Sequence, residues 1–270
     1  MATLFLAWQD PTRRRWYPIG RLTSTAGELY TFAYTKGAEE ARQGAGFQPL
    51  ASFPELSTAY VSEQLFPLFA NRLLTQARPE YQEYLEWLSV PASERDPVAI
   101  LARSGGRKVT DSLEVFPCPE RNANGDYYIH FLLHGLSHTP ETSVERASRL
   151  NLGEQLLVMR DFQNPKDPDA LALRTAETVE RDIYIVGYIP RYLRGDILKL
   201  IQLKAMPQIF VERVNPSPAP VQFRVLCRAI MPWPEGFEPF SGSEYEPLVP
   251  EAAARASQIL LPPRHYNHLS

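Results

Sequence analysis

The stretch "RDFQNPKDPDALAL", residues 160–173, crowds charged side chains, two prolines and an asparagine between two apolar runs. The run before it, "EQLLVMR" (154–160), and the run after it, "DALALRT" (169–175), are short and rich in aliphatic residues, as β-strands are. Asn164-Pro165 and Asp167-Pro168 are turn-makers, because proline fixes φ while Asn and Asp side chains bond back to nearby backbone amides. The segment therefore reads as a tight connection between two strands. It carries more charge than a turn needs, which opens a second reading as a binding loop on a small barrel.

The bulk composition sets the frame. The chain has 270 residues, 44% hydrophobic and 22% charged, enough apolar material for one large or two ordinary cores. Its 25 prolines are about twice the usual ~5% and are scattered, which suits many short elements and turns. Net charge is −3, so no global field draws it to polyanions. Residues 121–230 alone are net positive, with 14 Lys and Arg against 12 Asp and Glu. Two cysteines, Cys118 and Cys227, make neither a disulfide framework nor a zinc site. The start, "MATLFLAWQD", lacks a basic stretch before its apolar run, and no run approaches the ~20 residues that span a bilayer. A cytoplasmic protein without a membrane segment is expected.

Along the first half, Thr3–Trp8 and Trp16–Leu22 flank "QDPTRRR" and predict a hairpin, with Leu29–Tyr34 as a third strand. The stretch "KGAEEARQGAGFQPLASFPEL" reads as a loop. In "SEQLFPLFANRLL", Leu65, Phe66, Phe69 and Leu73 fall at helical spacing, with Ser62 as N-cap. "RPEYQEYLEWL" predicts a second helix, and "RDPVAILARSGG" a third, capped by Asp96, opened by Pro97 and closed by glycine. "SLEVFPCP" is a strand.

From Tyr127 the elements shorten. "YYIHFLLHGL" predicts a strand and "TPETSVERASRL" a helix capped by Thr139. "EQLLVMR", "DALALRT" and "DIYIVGYI" predict three strands, "PRYLRGDILKLIQ" a helix, and "PQIFVERV" and "VQFRVLCRAI" two more strands. Short strands interrupted by two helices fit a small, partly closed barrel. Beyond Met231 the chain is proline-rich and acidic, with one helix expected near "PEAAARASQIL".

Three patterns invite chemistry. His130, His134 and His138 recur every fourth residue, but along a strand that spacing is about 13 Å, too wide for one ion. They are expected on one face of a strand, with no metal. "ARSGGRKV" (102–109) runs from helix through glycines to strand, the reverse of a phosphate-cradling loop, and fits a helix C-cap. Signature motifs of nucleophilic hydrolases, zinc proteases, P-loop enzymes and kinases are absent, and neither catalysis nor a cofactor is expected. The opening loop then supplies the candidate site. Arg160, Lys166, Arg191 and Arg194 offer cations for phosphates, Tyr188 and Tyr192 offer stacking faces, and Asn164 and Asp167 offer hydrogen-bonding groups. Cations interleaved with aromatics on a small barrel are what single-strand binding uses.

"LVMRDFQNPKDPDALAL" followed by "VGYIPRYLRGDI" resembles the HIRAN domain over about residues 127–230. The family pattern is a strand, an Arg-Asp/Glu-x-x-Asn-Pro-x-Asp loop, a strand, then Val-Gly-x-Ile/Leu-Pro and a helix. The resemblance implies an OB-like barrel that, in eukaryotic members, captures the 3′ hydroxyl end of single-stranded DNA. By position it implies that Asn164, Lys166, Asp167, Tyr188 and Arg191 line the pocket, with Asp167 facing the hydroxyl. The sequence departs from the DNA-end binders at Lys166, where they carry tyrosine. It departs again at Ser137 and His138, where they carry an Arg-Tyr pair, so His138 joins the candidates. In the first half, "LFLAWQD", "YPIGRLT", "LYTFAYT", "PLFANRLL" and "DPVAILARSGGRKVTDSLEVFP" resemble, in order, the N-terminal subdomain of HipA-type toxin kinases. The ATP-binding and catalytic segments of those kinases have no counterpart.

The expected architecture is α+β. A HipA-N-like α+β domain (1–120) precedes an OB-like or SH3-like mixed β-barrel with two helices (127–230) and a proline-rich acidic tail (231–270). The expected function is non-catalytic binding of single-stranded DNA or 3′ DNA ends, with a partner-recruiting first domain. The alternative is a protein-interaction or antitoxin-like regulator of a HipA-type kinase.

Overall fold

Asp10 turns the chain between its first two strands, its carboxylate accepting from the Thr12 amide at 2.8 Å. In the computed structural model, which describes residues 2–25, 29–176, 183–249 and 259–260, this turn joins β1 (Ala2–Gln9) to β2 (Trp16–Thr25). β3 (Leu29–Tyr34), α1 (Lys36–Ala45), β4 (Ala59–Ser62), α2 (Pro67–Ala70), α3 (Tyr81–Trp87), α4 (Pro97–Ser104) and β5 (Leu113–Pro117) complete the first half. The second half holds β6 (Glu120–Arg121), β7 (Tyr127–Leu132), α5 (Glu141–Ser148), β8 (Gln155–Arg160), β9 (Leu171–Thr175) and β10 (Ile185–Tyr188). These are followed by α6 (Arg191–Gln202), β11 (Gln208–Val214), β12 (Val225–Met231) and β13 (Ile259–Leu260). The segment expected to be helical near residues 250–260 lies mostly outside the described residues.

The chain divides into two compact units. One contains the residues up to Leu74, Asp96–Cys118 and the described residues from Ser241 onward; the other contains Thr75–Arg95 and Pro119–Phe240. The first unit is built on a sheet in the order β13-β4-β3-β2-β1-β5, antiparallel except for the parallel β4–β13 pair. Aromatic side chains fill its core. Phe32 stacks on Phe53 with centroids 4.1 Å apart, and Phe66 meets Phe53 edge-on at 5.1 Å. The buried Tyr34 hydroxyl donates to the Phe53 carbonyl at 2.7 Å and accepts from the Leu50 amide at 2.8 Å.

Two elements of this unit differ from expectation. The stretch expected to be a loop contains α1, whose buried face is made of Gly37, Ala38 and Ala41. Such small residues carry little hydrophobic signal, yet they let the helix approach β2 closely. A Cβ at Gly37 would lie 2.2 Å from the Pro18 carbonyl oxygen. Ser62 does not cap a helix but ends β4, and the helical turn begins only at Pro67, which can occupy a first turn but not an interior. α4 is as expected: Asp96 accepts from the Val98 and Ala99 amides at 2.9 and 3.1 Å, and Gly105 closes the helix at φ 72°.

In the second unit the sheet order is β10-β9-β8-β11-β12-β7-β6, and every pairing is antiparallel, where a mixed barrel is expected. His134, two residues beyond β7, forms an isolated antiparallel bridge with Tyr188 of β10. That bridge joins the two ends of a six-strand run and makes the sheet a partly closed barrel. The strand expected to carry three histidines therefore stops at Leu132. His130 lies on β7, His134 on the bridge and His138 in a 3₁₀ turn (Leu136–His138), so they share no strand face. Among the described residues, no group of three or more His, Cys, Asp or Glu is placed to hold a metal. Thr139 does not cap α5 either; its hydroxyl donates back to the Leu136 carbonyl at 2.8 Å, and the helix starts after Pro140. α3 packs in this unit through Trp87, which stacks on Phe223 at 6.1 Å and whose carbonyl accepts from Asn215 at 3.0 Å. No described helix is long and apolar enough to cross a membrane.

α6 buries Leu193, Asp196, Ile197 and Leu200. The buried Asp196 carboxylate accepts from the Phe240 amide at 3.1 and 3.2 Å. Burial pushes its carboxyl up from 3.8 to about 6, against the opposing pull of that amide and of Lys199.

Two stability changes are expected. Asp96→Ala removes a cap and should lower the first unit's unfolding free energy by about 1 kcal/mol, read from urea denaturation. For Asp196, the folded state binds the proton more tightly than the unfolded chain, so its stabilising contribution is full below pH 3.8 and is lost as pH rises through about 6. Between pH 7 and 4 the wild type should therefore gain on the order of 2 kcal/mol relative to Asp196→Asn; parallel pH profiles of the two proteins would contradict this.

Candidate functional site

The β8–β9 loop is built by its own side chains. The Asp161 amide donates to Ala170 O at 2.9 Å, and the Asn164 amide donates to Asp161 O at 3.1 Å. Asn164 Oδ1 then accepts from the amides of Lys166 and Asp167 at 3.0 and 3.2 Å. Asp167 Oδ1 accepts from the Asp169 amide at 3.2 Å. These are short-range Asx contacts, the kind that the Asn-Pro and Asp-Pro pairs favour. Asn164 is thus spent largely on the turn.

Asp167 is held by charge as well. Arg191 Nε lies 2.8 Å from its Oδ2, and Arg194 Nη1 lies 2.7 Å from its Oδ1. The two arginines stand three residues apart on α6, so they rise from one helix face onto the same carboxylate. Arg191 also donates to the Lys166 carbonyl at 3.2 Å. The Asp167 side chain is only 12% exposed, against 36% for Arg191 and 32% for Arg194, so the carboxylate lies inside and the guanidinium groups face outward. Ion pairs of this half-buried kind are stronger than surface pairs and fix geometry.

Tyr188 joins the loop to the barrel closure. Its hydroxyl donates to Asp161 Oδ2 at 2.9 Å, and burial together with that carboxylate pushes the phenol up from its ordinary value. Its backbone exchanges both hydrogen bonds with His134, at 3.0 and 2.9 Å. Two glycines make this possible. Gly135 has φ 72°, and a Cβ there would lie 2.7 Å from the Tyr188 ring; Gly187 has φ 150°, and a Cβ there would lie 2.6 Å from Leu133. Both conformations and both approaches exclude ordinary side chains.

The structure therefore brings Asn164, Lys166, Asp167, Tyr188 and Arg191 together around one loop. Tyr192 faces the His134 ring edge-on, with centroids 6.5 Å apart. Arg160, at the loop entrance, lies 3.6 Å from Asp169. His138 is exposed on the 3₁₀ turn that follows Gly135. Sequence reasoning missed Asp161 as the Tyr188 partner and left Arg194 secondary; the i, i+3 spacing from Arg191 was the available signal for the latter. The loop and the start of α6 carry Arg160, Lys166, Arg191 and Arg194 together with Asp161, Asp167 and Asp169; Arg160 pairs with Asp169, and Arg191 and Arg194 with Asp167. Four cations against three carboxylates create little net field.

Residues 127–231 match the family model of the HIRAN domain, so this segment, rather than the whole chain, is assigned to that family. Among solved structures, a crystal structure of a protein from Lactobacillus plantarum is 16% identical, with a TM-score of 0.29, covering 40% of this chain and 97% of that one. The crystal structure of the HIRAN domain of human HLTF is 19% identical, with a TM-score of 0.28, covering 38% of this chain and 74% of that one. No curated protein matches.

Gly187→Ala should destabilise the second unit by about 2 kcal/mol, since it adds backbone strain and a clash at the closure. Urea midpoints would test this, and an unchanged midpoint would show that the bridge is not a constraint.

Proposed function

We propose that the protein is a non-catalytic binder of single-stranded DNA or 3′ DNA ends, working in the cytoplasm and using the β8–β9 loop and the start of α6. The assignment of residues 127–231 to the HIRAN domain carries this reading. The cluster of Arg160, Lys166, Arg191 and Arg194 around a rigid loop supports it chemically, because cations near the backbone path supply most nucleic-acid affinity. In this role a terminal sugar hydroxyl donates to the remaining acceptor capacity of Asp167, while the outward guanidinium groups of Arg191 and Arg194 meet phosphate. Within the same reading, residues 1–120 form a HipA-N-like domain that recruits a protein partner, a HipA-type kinase being one candidate. The ordered succession of five segments in that half supports this.

The test is fluorescence anisotropy with single-stranded DNA ending in a free 3′ hydroxyl, the same strand ending in 3′ phosphate, and a duplex. The wild type should prefer the free hydroxyl. Asp167→Ala should lose that preference yet bind strands in a more salt-sensitive way, because Arg191 and Arg194 lose their internal counter-ion. Asp167→Asn, which preserves the acceptor for the Asp169 amide, should behave alike if charge is the cause. Undiminished hydroxyl preference in both variants would remove Asp167 from end recognition, and no wild-type binding at low salt would overturn the DNA reading.

A further inference from the structure

Phe162 stands out among the loop's side chains. It is 70% exposed, although its neighbours Asp161 and Asn164 are tied down by the backbone bonds that shape the loop. Single exposed apolar side chains are common and need no special cause. This one differs in its surroundings. The Arg160 guanidinium lies over the ring, 5.2 Å from its centroid, which fixes one side of the aromatic and leaves most of it in water. Arg160 is in turn 3.6 Å from Asp169, across the loop. One residue away, Asp161 accepts the Tyr188 hydroxyl, so Phe162 stands on the same loop as Lys166 and Asp167, the latter paired with Arg191 and Arg194.

Building on the DNA-binding role above, we propose that Phe162 is the stacking platform of the site and takes an unpaired nucleobase on its solvent side. A base is the occupant that fits both halves of the surface. It has a flat π-face for the ring, and the phosphate beside it matches Arg160, which lies at the ring's other face. A planar hydrophobic contact of this kind is indifferent to base identity, so the loop reads single-strandedness rather than sequence. Duplex DNA, whose bases are already stacked on one another, cannot use it. Arg160 acts as a positioning residue: its guanidinium covers one side of the ring and is shared with Asp169, leaving the other side of the ring to the base.

The experiment compares the full chain with Phe162→Ala, Phe162→Leu and Phe162→Trp on two single strands of equal length, one normal and one made of abasic nucleotides. The wild type should bind the normal strand about tenfold more tightly than the abasic one. Phe162→Ala and Phe162→Leu should lose that advantage while leaving abasic affinity unchanged. Phe162→Trp should keep it, with fluorescence of the added tryptophan quenched by the normal strand only. If the wild type binds and Phe162→Ala retains the same preference for bases, the stacking role is overturned and the DNA-binding role stands. If the wild type binds neither strand, the DNA-binding role itself fails.

Discussion

The second unit depends on one backbone contact, the bridge between His134 and Tyr188. β10 would otherwise be an open edge of the sheet, and edges with unpaired N–H and C=O groups invite unwanted pairing. Joining it to the segment beyond β7 closes the barrel and places Tyr188 where its hydroxyl reaches Asp161. The same closure leads through Ile189 and Pro190 into α6, so it sets where Arg191 and Arg194 emerge. Gly135 and Gly187 are the steric condition for all of this, because each sits where a side chain would strike the opposite chain. The site is therefore a consequence of barrel closure and could not be assembled from the loop alone.

Charge within the site is nearly balanced by internal pairing. Asp167 pairs with both arginines, which offsets the repulsion between the two cations and ties the start of α6 to the loop. Each arginine meets a different oxygen of the Asp167 carboxylate, Arg191 through Nε and Arg194 through Nη1, so both guanidinium groups keep further N–H donors. Near-neutral local charge limits long-range electrostatic steering. Asp196 serves a different purpose on the opposite side of the same helix. It ties α6 to the chain at Phe240, and its raised pKa marks the cost of burying a carboxylate, which the Phe240 amide and Lys199 oppose.

Much of this was legible in the residues themselves. Proline, asparagine and aspartate act through bonds that reach two or three residues, so the β8–β9 turn and the Asp96 cap could be read directly from their order. Short apolar runs bounded by turn residues located the longer strands. α1 escaped because its buried face is glycine and alanine, which register as loop until a neighbouring strand demands close approach. The helical stripe from Leu65 to Leu73 misled because Pro67 confines helix to the segment after it.

The sequence by itself determined the local chemistry: which segments extend, where they turn, and which side chains carry charge near the loop. Only the tertiary structure decided how those charges pair. Asp167 and its arginines lie more than twenty residues apart, and Asp161 and Tyr188 lie equally far apart. Their meeting is set by strand register and barrel closure, which no short window contains. Phe162 shows the same limit from the other side. An apolar residue is expected inside, and only a backbone bonded at Asp161 and Asn164 reveals that this one stands in water.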